Sequence, residues 1–510
     1  MNRLVGVAVT VLAVAAAGLT GGAYWSGLQA ERWYREALAE GSRNPDVKLS
    51  LIRYERGLFS SQAVTRVQFV MPEGHDANVP DPSFSVRDEI FHGPLPLAAR
   101  GTPGVPMAWG TAVVRSALDP DNSGWPRELL RLYGGQDPVV AISQVGFDGT
   151  WETRIAMPPL SLEGVEQLQA VKFAGLQAQF RGAPHGASVQ GTLSVPTIDL
   201  VGKPQASEGQ PVSGGHVSLR DLAMTVSYRK GPFNFLLGET TFTIAELRGR
   251  DAGQAAGFVM SNLSVNASVS EQNAQQVAGD ILIKADSIAA EQWNGTGSLR
   301  VGLRNLDAAT LGHLQQWQQK LAGRPDDPQA LEEWMTLVRS LLRGKPQFVL
   351  ETQAKVAQGE WQGKLTLDFQ DFGDVNPFQD PASLVGALKA GLADATASRA
   401  LVETVLNDMI RGQSLAQARE MGEQVDERAL QSMAAEQTRQ QLEQVVASGL
   451  LRLEGDLYRT TARFEGGKLL VNGQEIPLTP VPGDEEGTAM EEEAPPEANG
   501  SAAAAAAPQH

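Results

Sequence analysis

Between about Ala141 and Gln370, apolar side chains recur at every second position, a spacing that gathers them on one face only if the backbone is extended. Leu299, Val301 and Leu303 form one such run, and Leu365, Leu367 and Phe369 form another. Phe233, Phe235 and Leu237 begin a third. Val217 and Leu219 keep the same period, then the phase moves by one residue and Leu222, Met224, Val226 and Tyr228 continue, the pattern of a β-bulge. Short Gly/Asn/Gln turns separate the runs, so hairpins and an antiparallel sheet are expected. No repeat of fixed length is visible.

Two stretches leave this period for a helical one. The first covers about 308–343 and is broken at Gly323-Arg324-Pro325. The second is expected from near Pro381 to about Ser448. In it Leu401, Val402, Val405, Leu406, Met409 and Ile410 make one stripe, while Leu430, Met433, Leu442, Val445 and Val446 mark a following helix. The chain then returns to strand, and Asn472-Gly473 between apolar runs predicts a hairpin with a type I′ turn. Nearer the start, Ala30 to Ala39 reads as a short helix and Tyr54 to Ser61 as a turn feeding a strand. Residues 72–106 are rich in Pro and Gly, which forbids a long helix and favours extended connections. The fold class is therefore α+β, a large, mostly antiparallel sheet with inserted helical segments.

The amino terminus adds a different constraint. Leu4 to Ala30 carries no charge, and Leu4 to Trp25 is long enough to cross the ~30 Å of a bilayer core as a helix. Leu4, Leu12 and Leu19 would sit in the lipid, with Tyr24 and Trp25 anchoring at the interface. Arg3 before the span sets a small positive-inside bias, so the rest of the chain is expected on the exported side. A cleaved signal peptide is the alternative, because Ala15, Ala16 and Ala17 are small, but its apolar region would normally be only ~7–15 residues. Gly18 and Gly22 leave a smooth helix face through which two copies could pair as a homodimer. The expected organisation is an anchor at 1–27, a juxtamembrane and N-terminal exported segment at 28–140, a β-rich body at 141–375, a helical segment with terminal hairpin at 376–480, and a tail at 481–510. That tail carries seven carboxylates, no Lys or Arg and little apolar bulk, so disorder is expected.

Composition removes several kinds of chemistry. With 42 Lys+Arg against 59 Asp+Glu the formal charge is -17, which opposes nucleic-acid binding. No cysteine is present, which excludes disulfides, thiolate metal sites and a cysteine nucleophile. The six histidines never stand three or four apart in the manner of a helical metal grip. His92, between Phe91 and Gly93-Pro94, reads as a neutral imidazole bonded to a turn. Asp119-Pro120-Asp121-Asn122-Ser123-Gly124 copies the first half of a calcium loop, but its twelfth position is Leu130 where a bidentate Glu is needed. Ser227-Tyr228-Arg229-Lys230 satisfies a bare S-x-x-K without the companion motifs of penicillin-recognising enzymes. No catalytic, cofactor or metal residue is assigned.

Four markers together carry a resemblance. They are the hydrophobic amino terminus, the cluster Tyr54-x-Arg56-Gly57-x-Phe59-Ser60-Ser61, the loop His92-Gly93-Pro94-Leu95-Pro96, and Leu469-x-Val471-Asn472-Gly473. In this order the chain resembles the bacterial YdgA-like family. The resemblance implies a Gram-negative envelope protein held in the inner membrane with its bulk in the periplasm, and no assigned reaction. The expected role is thus non-enzymatic, structural or binding, with an envelope protein or a lipid as partner. A sheet with one apolar face can leave a groove for a lipid or other amphiphile. The alternative is a periplasmic hydrolase of an envelope polymer, which requires two carboxylates, or Ser227 with Lys230, to converge.

Overall fold

The computed structural model describes residues 25–477 apart from 40, 43–46, 70–82, 95, 108, 122–123, 165–167, 208–209, 213, 232, 234, 251–256, 291–292, 322–327, 371–385 and 421–425. The expected membrane span, with Leu4, Leu12, Gly18, Leu19, Gly22 and Tyr24, lies outside the described residues, as does the acidic tail. Among the described residues no helix is long and apolar enough to cross a membrane. The chain forms one unit over Met1–Ile476 and a second over Pro477–His510.

Helix α1 (25–39 among the described residues) opens the described chain and contains the helix expected at Ala30–Ala39. Strands β1 (Val47–Arg56), β2 (Ser60–Phe69), β3 (Ser83–His92), β4 (Ala112–Asp119), β5 (Val140–Val145) and β6 (Trp151–Met157) then pair in chain order, each antiparallel to the last. A small hairpin, β7 (Leu160–Glu163) and β8 (Leu168–Phe173), precedes β9 (Leu176–Gly182), which returns to pair with β6. The long β10 (Ser188–Gly202) lies beside β9 along its first half and β8 along its second. After a separate hairpin of β11 (Gln205–Ser207) and β12 (Gln210–Val212), the ladder continues through β13 (His216–Lys230), β14 (Leu236–Arg250), β15 (Phe258–Glu271), β16 (Gln276–Ala290) and β17 (Trp293–Asp307). At ~3.3 Å per residue these strands are roughly 50 Å long. It goes on through β18 (Gln347–Val356), β19 (Gly359–Phe369) and β20 (Leu388–Ser398), then closes its run with β21 (Arg452–Glu454), β22 (Leu457–Glu465), β23 (Lys468–Val471) and β24 (Gln474–Ile476). The remaining helices are α2 (Gly124–Leu132), α3 (Ala308–Leu321), α4 (Pro328–Arg343), α5 (Arg399–Glu420) and α6 (Glu427–Ala447).

The fold is therefore a large antiparallel sheet with several helices, an α+β architecture. Three local expectations need correction. The Pro/Gly-rich stretch at 72–106 contains the ten-residue β3, whose alternation is hidden because Asp88 occupies an inward position among Val86, Ile90 and His92. The helix expected from Pro381 is the strand β20 over Leu388–Ser398. Its small Gly391, Ala393 and Ala397 fit between Leu367, Leu365 and Trp361 on β19 and Phe464, Ala462 and Tyr458 on β22, so packing overrides alanine's helical propensity. The third concerns the phase shift in β13.

That shift is present, and it is not a bulge. Pairing remains in step on both sides: Val195 faces Leu222 and Thr197 faces Arg220 on one side, while Ile244 faces Leu222 and Glu246 faces Arg220 on the other. No strand gains a residue. Instead Asp221 turns to φ 48°, and two strands away Asn262 does the same at φ 50°. The residues between and beside them are Ala245 and Pro196, and proline has no N–H to lose from the ladder. A crease thus crosses β10, β13, β14 and β15, with Val195, Leu222, Ile244 and Leu263 side by side on one flank of it and Ile198, Leu219, Leu247 and Met260 on the other. Asp and Asn are the non-glycine residues that tolerate this conformation best.

A substitution test follows from that geometry. Asp221→Val and Asn262→Val are each expected to cost about 1–2 kcal/mol, the penalty of left-handed backbone for an ordinary residue, whereas Asp221→Gly should cost little. Urea midpoints of the full-length protein in detergent measure it; equal loss for Val and Gly at 221 would refute the crease.

Candidate functional site

The two faces of the ladder differ in chemistry. Following the register across nine strands, Ala141, Ile155, Ala178, Leu193, Met224, Phe242, Val265, Ile283 and Leu299 stand side by side. One row over, Val226, Thr240, Ala267, Ile281, Val301, Leu350 and Leu365 continue the apolar surface. On the opposite side the neighbouring row reads Thr192, Thr225, Thr241, Asn266, Leu282, Arg300, Glu351, Lys364 and Asp394. Cross-strand ion pairs run along it: Arg304 to Asp280 at 2.7 Å, Arg300 to Asp280 at 3.1 Å, and Lys364 to Glu351 at 2.9 Å. Arg304 and Lys364 hold their carboxylates below the usual range, chiefly by hydrogen bonding. This face is built to meet water.

Helices cover the apolar face only in part. At its start α1 lies on β1–β4, burying Ala30 against Ala63, Ile90 and Ala112. Near one end of β14–β17, α3 and α4 cover a second small core in which Leu237, Val277, Leu306 and Ala308 meet Leu311 and Leu341. Between those caps the face has no layer over it among the described residues. Ile281 is 46% exposed, Ile283 37% and Leu303 42%, and Val217 and Phe258 are exposed as well. A cavity of about 300 Å³ opens where this uncovered face meets α1, lined by Trp33, Tyr34 and Asp88 on one side and by Val145, Trp151 and Thr153 on the other.

Of the residues quoted for the family resemblance, those of the Tyr54–Ser61 cluster and His92 lie around the docked α1. Arg56 ends β1 and pairs with Glu31 of α1 at 3.1 Å. Tyr54 packs its ring against Tyr34 at 5.8 Å, and the Arg35 guanidinium sits over Tyr54. Gly57 begins the turn to β2, where its N–H bonds to the Ser60 carbonyl; a Cβ there would lie 2.5 Å from that oxygen, so glycine is required. Phe59 is exposed at the turn, and its carbonyl accepts the His92 N–H. Ser61 and His92 are both buried and joined by a 3.1 Å bond from Oγ to Nε2, so the imidazole has a side-chain partner in addition to its place at the turn. Gly27 of α1 rests directly on that ring. Gly93 follows with φ 128°, and the Pro94 carbonyl accepts from Gly110.

Sequence reasoning missed Asp88 and Tyr34. Asp88, on β3, is 5% exposed and accepts hydrogen bonds from Tyr34 of α1 and Ser116 of β4, while the Tyr34 hydroxyl also lies 2.7 Å from Thr65 on β2. Burial pushes the Asp88 carboxyl up, against the pull of the Ser116 and Tyr34 hydrogen bonds. Burial first, then the neighbouring carboxylate, pushes the Tyr34 hydroxyl up as well. The signal in the sequence is a charged triplet, Arg87-Asp88-Glu89, inside an otherwise β-like run.

Elsewhere the structure separates what the sequence placed together. Ser227 and Lys230 project from opposite faces of β13, and the Lys230 ammonium donates to the His185 carbonyl at 2.7 Å. Asp119 is buried and takes the Asp121 N–H in an Asx turn leading to α2. No metal-holding cluster of His, Asp and Glu occurs among the described residues. Asn472 and Gly473 form the expected hairpin turn, at φ 50° and 87°, and Asn472 is buried: its side chain accepts from Thr461 and donates to the Gly449 carbonyl, tying the hairpin to the end of α6.

The described residues thus combine a ladder with one apolar and one charged face and a helix docked at its start. The chain belongs to the family described as bacterial protein of unknown function (DUF945), whose family model matches residues 1–479. It is similar to Protein YdgA of Escherichia coli (strain K12), at 22% identity over 510 residues, covering 94% of this chain and 95% of that protein. The YdgA-like resemblance is thereby established. No solved structure matches the chain.

The buried carboxyl supplies a pH test. A carboxyl with a raised pKa in the folded state contributes stability below its ordinary value near 3.8, and that contribution is lost as pH rises through the folded pKa. Asp88→Asn keeps an acceptor for Tyr34 and offers an N–H to Ser116. It should therefore be more stable than wild type at neutral pH, with the difference shrinking as pH falls. Unfolding midpoints of both proteins at a series of pH values check this, and a difference that grows on acidification would contradict it.

Proposed function

We propose that the protein is a membrane-anchored envelope protein that binds the acyl chains of a lipid, or of another amphiphile, along the uncovered apolar face of its sheet. One observation carries the reading: the apolar row from Ala141 to Leu299 is unbroken across nine strands, yet its central members remain partly exposed. Contiguous apolar surface beyond a few hundred Å² is rare on soluble proteins without a partner. The opposite face carries a ladder of paired charges, so the apolar face is not simply a consequence of a greasy sheet. In this reading Leu4–Trp25 holds the chain in the bacterial inner membrane, with the bulk in the periplasm. The role is binding rather than catalysis. The competing hydrolase reading gains nothing from Ser227 and Lys230, which do not converge.

Two adjacent residues test the proposal. Ile283 lies on the apolar face and Leu282 on the polar one, at 37% and 39% exposure, so replacing either by Glu perturbs a similarly accessible position. Ile283→Glu is expected to remove most co-purifying phospholipid in native mass spectrometry of the full chain, because a carboxylate would have to be desolvated against acyl chains. Leu282→Glu should retain it. Equal lipid content in the two variants and in wild type, with unchanged circular dichroism, would overturn the proposal.

A further inference from the structure

The end of the sheet at which α1 begins has a character of its own. Helix α1 runs along β3 from Gly27, against His92, to Tyr34, against Asp88, and Gly41 just beyond the helix reaches Leu49 on β1. The described end of the uncharged stretch, residues 25–30, therefore lies at the His92 end of the sheet. Three connections lie at that same end: the β1–β2 turn after Arg56, the segment between His92 and Ala112, and the β5–β6 turn after Val145. Each presents large apolar side chains outward. Leu58 and Phe59 project from the first, Met107 and Trp109 from the second and Phe147 from the third, with Trp109 70% and Phe147 56% exposed. Trp25, the first described residue of α1, is 54% exposed.

Two of the nearby charged groups are turned onto protein partners. The Asp148 carboxylate, next to Phe147, accepts from the Thr150 N–H at 3.0 Å and its hydroxyl at 2.7 Å, and Arg56 pairs with Glu31. Nothing in the packing of the sheet requires aromatic residues at three successive turn tips, where Gly, Asn and Asp cost least. Tryptophan and other amphipathic aromatics are favoured where a protein meets lipid headgroups.

We propose that these loop tips form a rim seated in the interfacial layer of the bilayer that holds the amino-terminal segment. The rim rests on the anchor reading, since Leu4–Trp25 brings the lipid to this end of β1–β6. It extends that reading: strands β1–β6 stand away from the membrane with their turns in it, and the cavity beneath α1, where the open apolar face starts, lies next to the lipid surface. The occupant is the lipid surface itself.

The absence of cysteine makes the test direct. Single cysteines at Phe59, Trp109 and Phe147, each labelled with a nitroxide, are compared in the full chain reconstituted into phosphatidylethanolamine–phosphatidylglycerol vesicles; Leu12→Cys reports on the anchor and Trp125→Cys on the opposite end of the sheet. Collision with oxygen and with a water-soluble nickel chelate is measured by power saturation. The expected result is loss of nickel accessibility with retained oxygen accessibility at 59, 109 and 147, the same at 12, and full nickel accessibility at 125. Lipid exposure at 12 with nickel-accessible labels at all three loop tips overturns the rim alone. Nickel accessibility at 12 overturns the anchor reading and the rim with it. Shielding of the loop tips from both reagents with spin–spin broadening means that a second copy covers them, which also overturns the proposal.

Discussion

The antiparallel register between β6 and β17 fixes which side chains share a face, and a slip of one residue in any strand would carry its apolar members across to the charged side. The cost of such a slip is high on both faces. Ile281 and Ile283 would be set among Arg300, Glu351 and Lys364, and Asp280 would lose Arg304 and Arg300 to sit beside Val301. Individually these surface ion pairs contribute little, about 0–1 kcal/mol each. Their value lies in register, because each pair needs its two charged side chains on one face of the sheet, which a slip of one residue would end. The crease obeys the same rule: by passing through Pro196, Asp221, Ala245 and Asn262 in four neighbouring strands, it changes the phase everywhere at once and leaves the pairing intact.

A sheet so specified can bury its apolar face under helices or leave part of it open, and here the helices are placed at its margins. The family's short motifs become intelligible in that light. Tyr54, Arg56, Gly57, Ser61 and His92 set one helix on four strands by ring packing, an ion pair, a tight turn and a buried hydroxyl–imidazole bond. Asp88 adds a buried carboxyl held by Tyr34 from the helix and Ser116 from the sheet. A buried acid costs stability unless its oxygens are satisfied, so the geometry of α1 over β3 and β4 is narrowly defined. Asn472 does the same at the far end of the chain, spanning β22, the hairpin and the carboxyl end of α6.

Much of this was legible before any coordinates. The runs Leu299–Leu303 and Leu365–Phe369, the helical stretch at about 308–343 and the Asn472-Gly473 turn follow from local rules of alternation, helical period and positive φ; the expected break at Gly323-Arg324-Pro325 lies outside the described residues. What was hidden depends on neighbours distant in sequence. β20 reads as helix because Ala and Gly there are chosen for the bulk of β19 and β22, and β3 reads as a loop because its inward position 88 is polar. The crease imitates a bulge in one strand, since sequence shows the phase of β13 but not that β14 and β15 change with it. The uncovered face could not be read at all: alternation is identical whether a helix lies on a strand or not.

The distribution of exposed apolar groups then argues against the simplest alternative, that the sheet is merely an incompletely packed core. On β16 and β17, outside the small core under α3 and α4, Ile281, Ile283 and Leu303 are far more exposed than Ile90 beneath α1 or Val277 within that core. A second sheet stacked on this face would have to bring its own apolar row and bury it, and among the described residues the strands belong to this one ladder and a separate two-stranded hairpin. An apolar ligand that is itself extended meets the same requirement without a second sheet, because strands about 50 Å long offer apolar contact along their whole length rather than in a closed pocket. In the proposed binding mode, the polarity of the opposite face would confine such a ligand to one side.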